Sequence, residues 1–524
     1  MAARTPKSIL TAVVLWIVIL GGIAASLRFF VFPEFREKKR EKLALQTGSG
    51  GKYRQQIRVA ADRFSGYCIL RSPELQHRLG ASGIKLTVED DGADYMHRIK
   101  ALRDGDVEMA VFPVNSFIQS GIALGEFPAS MVYVIDETAG ADAIVAYRDA
   151  VPSIDALNRS DARIVLTPDS PSELLARVMI ASFNLPELPE KKWMVKAAGS
   201  ADDYKKFRGD SHRKPVAYAL WEPDVSKALK HDDAVVLLDS SKLKGFIVDV
   251  LVIERRFLIE HYDDAKAVVE AYARTAYEKR GDMAALIEAD ARQLGEKLTA
   301  ADARQLAQGI RWKNTLENYA HFGVSGRAHS LENIEDIILK ISDVLAKTGA
   351  MGGRDLPVAP NALYYNRIVS EMKAADFHPG RAVNVLSGVD LGANNEAVRG
   401  GQKLEPLTEQ QWNALLPVGE LRVEPISFGR GTARVNLQSR RELVELAGTL
   451  KSWPEYYLTV TGRVRPGGDE RAVLQLAKDR AEAAVQVLVG EGVEPERIRS
   501  FAKVAAENAA EAQSVSFVVG QPPY

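Results

Sequence analysis

Two stretches of this chain read alike. ALRDGDVEMAVF at 101–112 and YALWEPDV at 218–225 each lead through a buried strand into a loop of polar or aromatic groups. The first loop carries Asn115 and Ser116, the second Trp221, Glu222 and Asp224. In α/β sheets, ligands sit beyond the carboxyl ends of strands. Two such ends, from two halves of one chain, predict a cleft between two lobes.

The surrounding pattern supports that architecture. Strand-like and helix-like periods alternate from about 55 to 345. Candidate strands lie at 84–89, 108–112, 130–135, 143–147, 163–166, 216–220, 234–238 and 246–253, with helices at 95–103 and 172–183 between some of them. Strands separated by helices imply a parallel or mixed sheet covered on both faces. Residues 256–345 read as mostly helix, with amphipathic stretches at 265–279 and 331–348. Residues 349–420 are rich in Gly, Pro and Asn and read as a linker with short helical pieces at 362–374 and 409–416. The period changes again from 421: strand 421–428, helix 439–451, strand 456–462, helix 470–490, then strands 498–501 and 514–519. That is a βαβαββ unit of independent-domain size.

The amino terminus carries a different signal. ILTAVVLWIVILGGIAA at 9–25, extended by Ser26 and Leu27, holds no charged residue and is about the ~20 residues needed to cross a bilayer. A cleaved signal peptide is the alternative, since Arg4 and Lys7 precede the run and Ala24-Ala25-Ser26 offers small residues. The length of the run and the aromatic belt at Phe29, Phe30 and Phe32 favour an uncleaved anchor. An ion-conducting stator would need an intramembrane carboxylate, and the run has none. The expected plan is a tip and anchor at 1–33, a tether at 34–54, a binding domain at 55–348, a linker at 349–420 and a final domain at 421–524.

Composition narrows the function. With 68 Lys and Arg against 69 Asp and Glu, the net charge of -1 supplies no field for nucleic acid. Cys68 is the single cysteine, so neither an intramolecular disulfide nor a multi-cysteine metal site is available. The sequence has no HExxH, P-loop or GxSxG. The expectation is a binding protein, not an enzyme, with no catalytic residues, cofactor or metal.

FSGYC at 64–68, ALRDGDVEMAVFPVNS at 101–116, DETAGADAIVA at 136–146, TPDSPSELL at 167–175 and ALWEPDVSKAL at 219–229 resemble, in this order, the type II periplasmic solute-binding proteins of the nitrate, sulfonate and thiamine-precursor branch that serve ABC transporters. The resemblance implies two α/β lobes that close around a small solute by hinges near 143–150 and 240–250. Ser170 or Ser172 caps the helix after TPDSP, and free N–H groups at such a terminus favour an anion or polar oxygen. Plain capping explains those serines equally well. Tyr67 and Trp221 offer flat walls for a ligand, or serve as core aromatics. Asn115 and Ser116 are placed to bond a ligand, or to shape the turn. Asp136, Glu222 and Asp249 would make the cleft acidic and favour an amine or donor-rich ligand if they face it.

EPISFGRGTARV at 424–435, ELAGTLKSWPEYYLTVTGRV at 445–464 and LAKDRAEAAVQVLVGEGVEPERI at 476–498 resemble the OmpA-like domain, whose family holds peptidoglycan. The family's arginine matches Arg480, but Arg465 stands where its aspartate belongs and Val473 where its asparagine belongs. Arg480 alone can pair a carboxylate, whereas a cation at 465 repels the ligand's ammonium; Asp469 lies nearby to compensate.

Together these readings predict a single-pass protein of the bacterial cytoplasmic membrane with its bulk in the periplasm. Local Lys and Arg counting favours the opposite orientation, but long domains translocate regardless of such charges, and the resemblance of the downstream domains places them outside. The expected partners are a small organic or oxyanion solute, peptidoglycan through Arg480, and a membrane permease or other envelope proteins. The alternative is a structural envelope scaffold with a vestigial cleft, using the OmpA-like domain for protein contacts.

Overall fold

The computed structural model describes residues 53–189, 192–210, 212–324, 332–352, 355–380, 404–429, 431–464, 469–504 and 515–522. The expected anchor at 9–27 and most of the tether lie outside them. Among the described residues no helix is long and apolar enough to cross a membrane. The chain forms two compact units, Met1–Gln56 with Leu79–Lys85, and Ile57–Arg78 with Leu86–Tyr524. In the described part of the first, the N–H groups of Arg54 and Gln55 both donate to the Gly83 carbonyl, at 2.8 and 3.2 Å.

In chain order the strands are β1 Gln55–Ala60, β2 Ile84–Glu89, β3 Met109–Pro113, β4 Ala129–Thr138, β5 Asp142–Tyr147, β6 Arg163–Leu166, β7 Met194–Lys196, β8 Val216–Trp221, β9 Ala234–Asp239, β10 Val248–Glu254, β11 Ile310–Trp312, β12 Leu416–Glu420, β13 Tyr457–Val464, β14 Ile498–Val504 and β15 Val515–Gln521. They make three mixed sheets, ordered β11-β4-β10-β3-β1-β2, β7-β6-β8-β5-β9 and β12-β15-β13-β14.

The first two sheets are the cores of two lobes. In the first, β1 and β3 are parallel, with Val59 opposite Met109, while β10 runs antiparallel to both β3 and β4. Every residue of β3, β4 and β5 is buried, which matches their near-continuous apolar sequence. The second sheet pairs β6 in parallel with β7 and β8, and β5 antiparallel to β8 and β9.

The chain passes between the lobes at two neighbouring places, 138–142 and 239–248. The Ser240 hydroxyl oxygen joins them, accepting from the N–H groups of Gly140 at 2.8 Å and Asp142 at 3.3 Å. The first crossing therefore precedes the expected hinge at 143–150, which lies largely inside β5. Gly140 has φ 111, a conformation that L side chains rarely adopt, and this allows β4 to turn into β5 within three residues.

The helix Ile334–Lys347 serves both lobes. Its apolar positions Ile334, Ile337, Ile338, Ile341, Val344 and Leu345 are buried at helical spacing, and Asn333 caps its start by accepting from Glu335 N–H. It packs against the helix Val114–Leu124 of the first lobe and the helix Pro171–Ser182 of the second. Ile338 is fully buried, and Ile338→Ala would cost roughly 2–5 kcal/mol.

The third sheet with helices Leu437–Lys451 and Glu470–Gly490 gives a βαβαββ order. Its first strand is not at 421–428 as expected. Leu421 and Phe428 make only isolated bridges, and Leu416–Glu420 pairs with β15 instead. Pro417 is tolerated there because β12 is an edge strand. Gly462 on β13 is required by the Glu470–Gly490 helix: a Cβ there would lie 2.0 Å from the Ala477 carbonyl oxygen. Within 355–380, the helix Arg367–Ala374 packs against helices Tyr262–Lys279 and Thr315–His321 and against β4.

Candidate functional site

The cleft begins where β4, β5, β8 and β10 end or start. A cavity of about 30 Å³ lies there. Phe64, Tyr95 and Trp221 wall it, and Asp62, Asp142, Asp249 and Tyr67 put polar groups into it. Asp249 is the second residue of β10 in the first lobe and Asp142 opens β5 in the second, so the two lobes each contribute a carboxylate. Trp221 closes β8 directly opposite Asp142.

Of the residues expected to meet a ligand, Tyr67, Trp221 and Asp249 line this cavity. The Tyr67 hydroxyl donates to Asp249 Oδ2 at 2.9 Å, and its ring stands edge-on to Phe64 at 5.3 Å. Asp136 sits one layer behind, opposite Asp249 in the β4–β10 ladder. It is fully buried, and neither carboxylate oxygen has a hydrogen-bond partner among the described residues. Gly66 makes room for it, since a Cβ at 66 would fall 2.5 Å from Asp136 Oδ2.

The remaining expected residues serve other contacts. Asn115 donates to the Ser170 carbonyl at 3.0 Å, and Ser116 donates to the Asp169 carbonyl at 2.5 Å. Gln119 adds a bond to Asp169 Oδ1 at 3.0 Å. These three side chains of one helix tie the first lobe to the turn that starts the Pro171–Ser182 helix. Ser170 caps that helix, donating to the Thr167 carbonyl at 2.7 Å and accepting from Glu173 N–H at 3.2 Å. Glu173 Oε2 in turn accepts from Asp169 N–H, which places a carboxylate where an anion would approach. Ser172 donates to Asp142 Oδ1 at 3.1 Å. Glu222 is half-buried and accepts from both Ser226 N–H and Ser226 Oγ, capping a short helix.

Burial dominates the electrostatics. Desolvation, opposed by the bond from Ser172, pushes Asp142 up to about 7. Desolvation pushes Asp249 up to about 8 against the pull of the Tyr67 bond. Asp136 rises well above the carboxylate range through desolvation first and the neighbouring Asp249 second. Glu222 is also raised, chiefly by burial. Two cations held by carboxylates lie close by. Arg98 grips Asp91 at 2.5 and 2.6 Å and Asp62 at 3.0 Å, and Lys313 holds Glu137 at 2.5 Å. Among the described residues no group of three His, Cys, Asp or Glu side chains is arranged to hold a metal ion.

Asp142, Asp62, Phe64 and Tyr95 were not singled out from the sequence. The signal for Asp142 was an acid opening the apolar run DAIVA immediately after a glycine turn. For Asp62 it was its place two residues before FSGYC, and Phe64 is the first residue of that segment.

In the third sheet's domain, Arg480 Nε donates to the Thr432 carbonyl at 3.1 Å and its guanidinium lies 5.2 Å from the centre of the Phe428 ring. Asp469 is the amino-terminal cap of its helix, accepting from Arg471 and Ala472 N–H. Position 465 lies outside the described residues. The domain meets both lobes. Phe183 of the second lobe packs on Trp453 at 5.3 Å, and Asn184 N–H donates to the Glu420 carbonyl at 2.9 Å. Lys244, beside the second crossing, donates its N–H to the Ser452 carbonyl at 2.8 Å, and Lys242 pairs with Glu455 at 3.2 Å.

Residues 427–516 match the OmpA family. No curated protein matches the chain. Several solved structures are similar to it. One is the ligand-binding component of an ABC-type import system from Staphylococcus aureus with zinc bound, at 14% identity and TM-score 0.46 over 61% of this chain and 99% of that one. The periplasmic aliphatic sulphonate-binding protein SsuA of Escherichia coli is 14% identical with TM-score 0.45, over 59% of this chain and 92% of its own. A putative periplasmic sulfonate-binding SsuA of Methylobacillus flagellatus is 11% identical with TM-score 0.46, over 62% and 96%.

Proposed function

We propose that this chain is a membrane-anchored envelope protein that captures or senses a small solute between its two lobes, without covalent chemistry. The observation that carries the reading is the cavity lined from both lobes by Tyr67, Asp249, Asp142 and Trp221. At about 30 Å³ it holds roughly two water-sized groups. An organic solute therefore enters by separation of the lobes about the paired crossings at 138–142 and 239–248. The domain containing 427–516 associates with the envelope or with peptidoglycan, and a permease or another envelope protein is the partner for the lobes. Thermal-shift screening of the full-length chain against amines, sulfonates, oxyanions and pyrimidines tests the reading. A ligand-dependent shift lost in Trp221→Ala is expected. No shift with any class, and a Trp221→Ala variant indistinguishable from wild type, would sink it. Peptidoglycan pull-down compared with Arg480→Ala tests the second site; equal capture removes Arg480 from it.

A second reading is a scaffold with a vestigial cleft. The bonds from Asn115, Ser116 and Gln119 to residues 169–170, with the third domain resting on both lobes, favour a cleft held shut. The same screen separates the two, because a scaffold shows no solute-dependent shift.

A further inference from the structure

The polar side chains of the cavity narrow the chemistry of what enters it. Asp249 is 2% exposed and uses Oδ2 to accept from Tyr67, while Oδ1 has no partner among the described residues. Asp142, in the lobe opposite Asp249 and also 2% exposed, accepts from Ser172 of its own lobe at 3.1 Å. Asp136 behind them has both oxygens unpartnered among the described residues. Buried acceptors without donors are unfavourable, and folded proteins normally meet them with a protein group or a ligand.

The buried cations of this region already have partners. Arg98 faces Asp91 and Asp62 and gives a further donor to the Val111 carbonyl at 2.5 Å. Lys313 faces Glu137, and Arg71 faces Asp290 at 2.6 Å. No Lys or Arg is among the described residues that line the cavity. A sulfonate or other oxyanion placed there would meet carboxylates and no cation. An ammonium group would meet acceptors from both lobes, beside the aromatic side chains Phe64, Tyr95 and Trp221. The cavity volume suits a head group of that size with one attached carbon.

Resting on the solute-capture reading above, we propose that the cleft binds a small primary amine, its ammonium donating to Asp249 and Asp142. Burial raises both carboxyls, and the charged and titratable groups facing Asp249 are Tyr67, Asp62, Asp142, Arg98 and, across the ladder, Asp136. An arriving cation favours their ionised form, so capture sends protons to solvent.

Titration calorimetry of the full-length chain at pH 8 with ethylamine, ethanolamine and putrescine, against ethanesulfonate and sulfate, tests this. The amines are expected to bind and the anions not, with Asp249→Asn and Asp142→Asn each weakening amine binding at least tenfold. Asp249→Asn keeps the shape and removes a buried acid, so its melting temperature should equal or exceed that of wild type, which separates lost binding from lost folding. Binding of ethanesulfonate without amines overturns the amine assignment and leaves solute capture standing. Amine binding unchanged in both variants overturns the site. A wild-type chain that binds none of these probes overturns the amine proposal, and only an empty broader screen overturns capture itself.

Discussion

Tyr67 and Asp249 stand 182 positions apart in the chain and meet at 2.9 Å in the wall of the cleft. Tyr67 comes from the turn after β1, and Asp249 is the second residue of the strand that returns from the other lobe. The bond joins the amino-terminal cleft segment to the crossing strand, and its strength depends on the charge of Asp249. A hydrogen bond to an ionised group contributes about 1.5–3 kcal/mol and a neutral one about 0.5–1.5. Tyr67→Phe should therefore cost more at pH 9 than at pH 6 in urea unfolding. An equal cost at both would contradict an acceptor that ionises between them.

The raised carboxyls give the unliganded fold an unusual pH dependence. Unfolded aspartates titrate near 4, whereas Asp142 titrates at about 7 and Asp249 at about 8 in the fold. Between those limits the folded state holds protons that the unfolded state has released, so stability falls as pH rises from about 4 to about 8. Glu137 works in the opposite direction: Lys313 and the Gly245 N–H, against desolvation, hold it near 2, so its contribution is present above about 4.5 and is lost as pH falls through 2. The melting temperature is expected to be higher at pH 5 than at pH 8, and Asp249→Asn or Asp142→Asn should reduce the difference. A melting temperature that rises from pH 5 to pH 8 contradicts the assignment.

Lys313 and Glu137 are each only 5% exposed at the side chain and lie 2.5 Å apart. Removing one partner leaves a buried charge without its counterpart, at about 3–5 kcal/mol. Lys313→Met should show that loss in denaturant unfolding. Replacing both residues with leucine should recover most of it, because the unpaired charge is then gone. A single replacement costing under about 1 kcal/mol would place the pair outside the core electrostatics.

Phe183 and Trp453 are both fully buried, with ring centres 5.3 Å apart, and they fasten the third domain to the second lobe. Trp453→Ala should cost about 3–5 kcal/mol. Limited proteolysis should then release a fragment carrying β13–β15 earlier than from wild type. Unchanged digestion would mean that the polar contacts at Glu420, Ser452 and Glu455 suffice.

Much of this fold was legible in the sequence because periodicity was strong where packing is one-sided or complete. The helices Tyr95–Arg103 and Glu470–Gly490 and the strands Ile84–Glu89 and Arg163–Leu166 lie where the pattern placed them. The strands β1, β7 and β11 were missed: β1, QQIRVA, opens on polar residues and lies between β3 and β2, while β7 and β11 have three residues each at a sheet edge, and partner strands rather than sequence period define all three. β12 was displaced for a related reason: pairing with β15 selects LPVGE over the more apolar-looking stretch that follows. At the site, Tyr67, Trp221 and Asp249 were legible as aromatics and acids beside strand ends. Asn115, Ser116 and Ser170 looked equally suited to a ligand, because a sequence does not show that polar loop groups bond one another across two lobes. Asp142 was passed over because its partners, Trp221 across the ladder and the Ser172 hydroxyl, are distant in the sequence.

The central claim is that solute capture is carried by carboxylates from both lobes. Its most direct test is calorimetric titration of the full-length chain with ethylamine at pH 7.5, in two buffers of different ionisation enthalpy. The expected result is saturable binding whose heat differs between buffers by the release of protons, with both signals lost in Asp249→Asn. Ethylamine binding with the same heat in both buffers, or no binding by a folded wild-type chain, would contradict it.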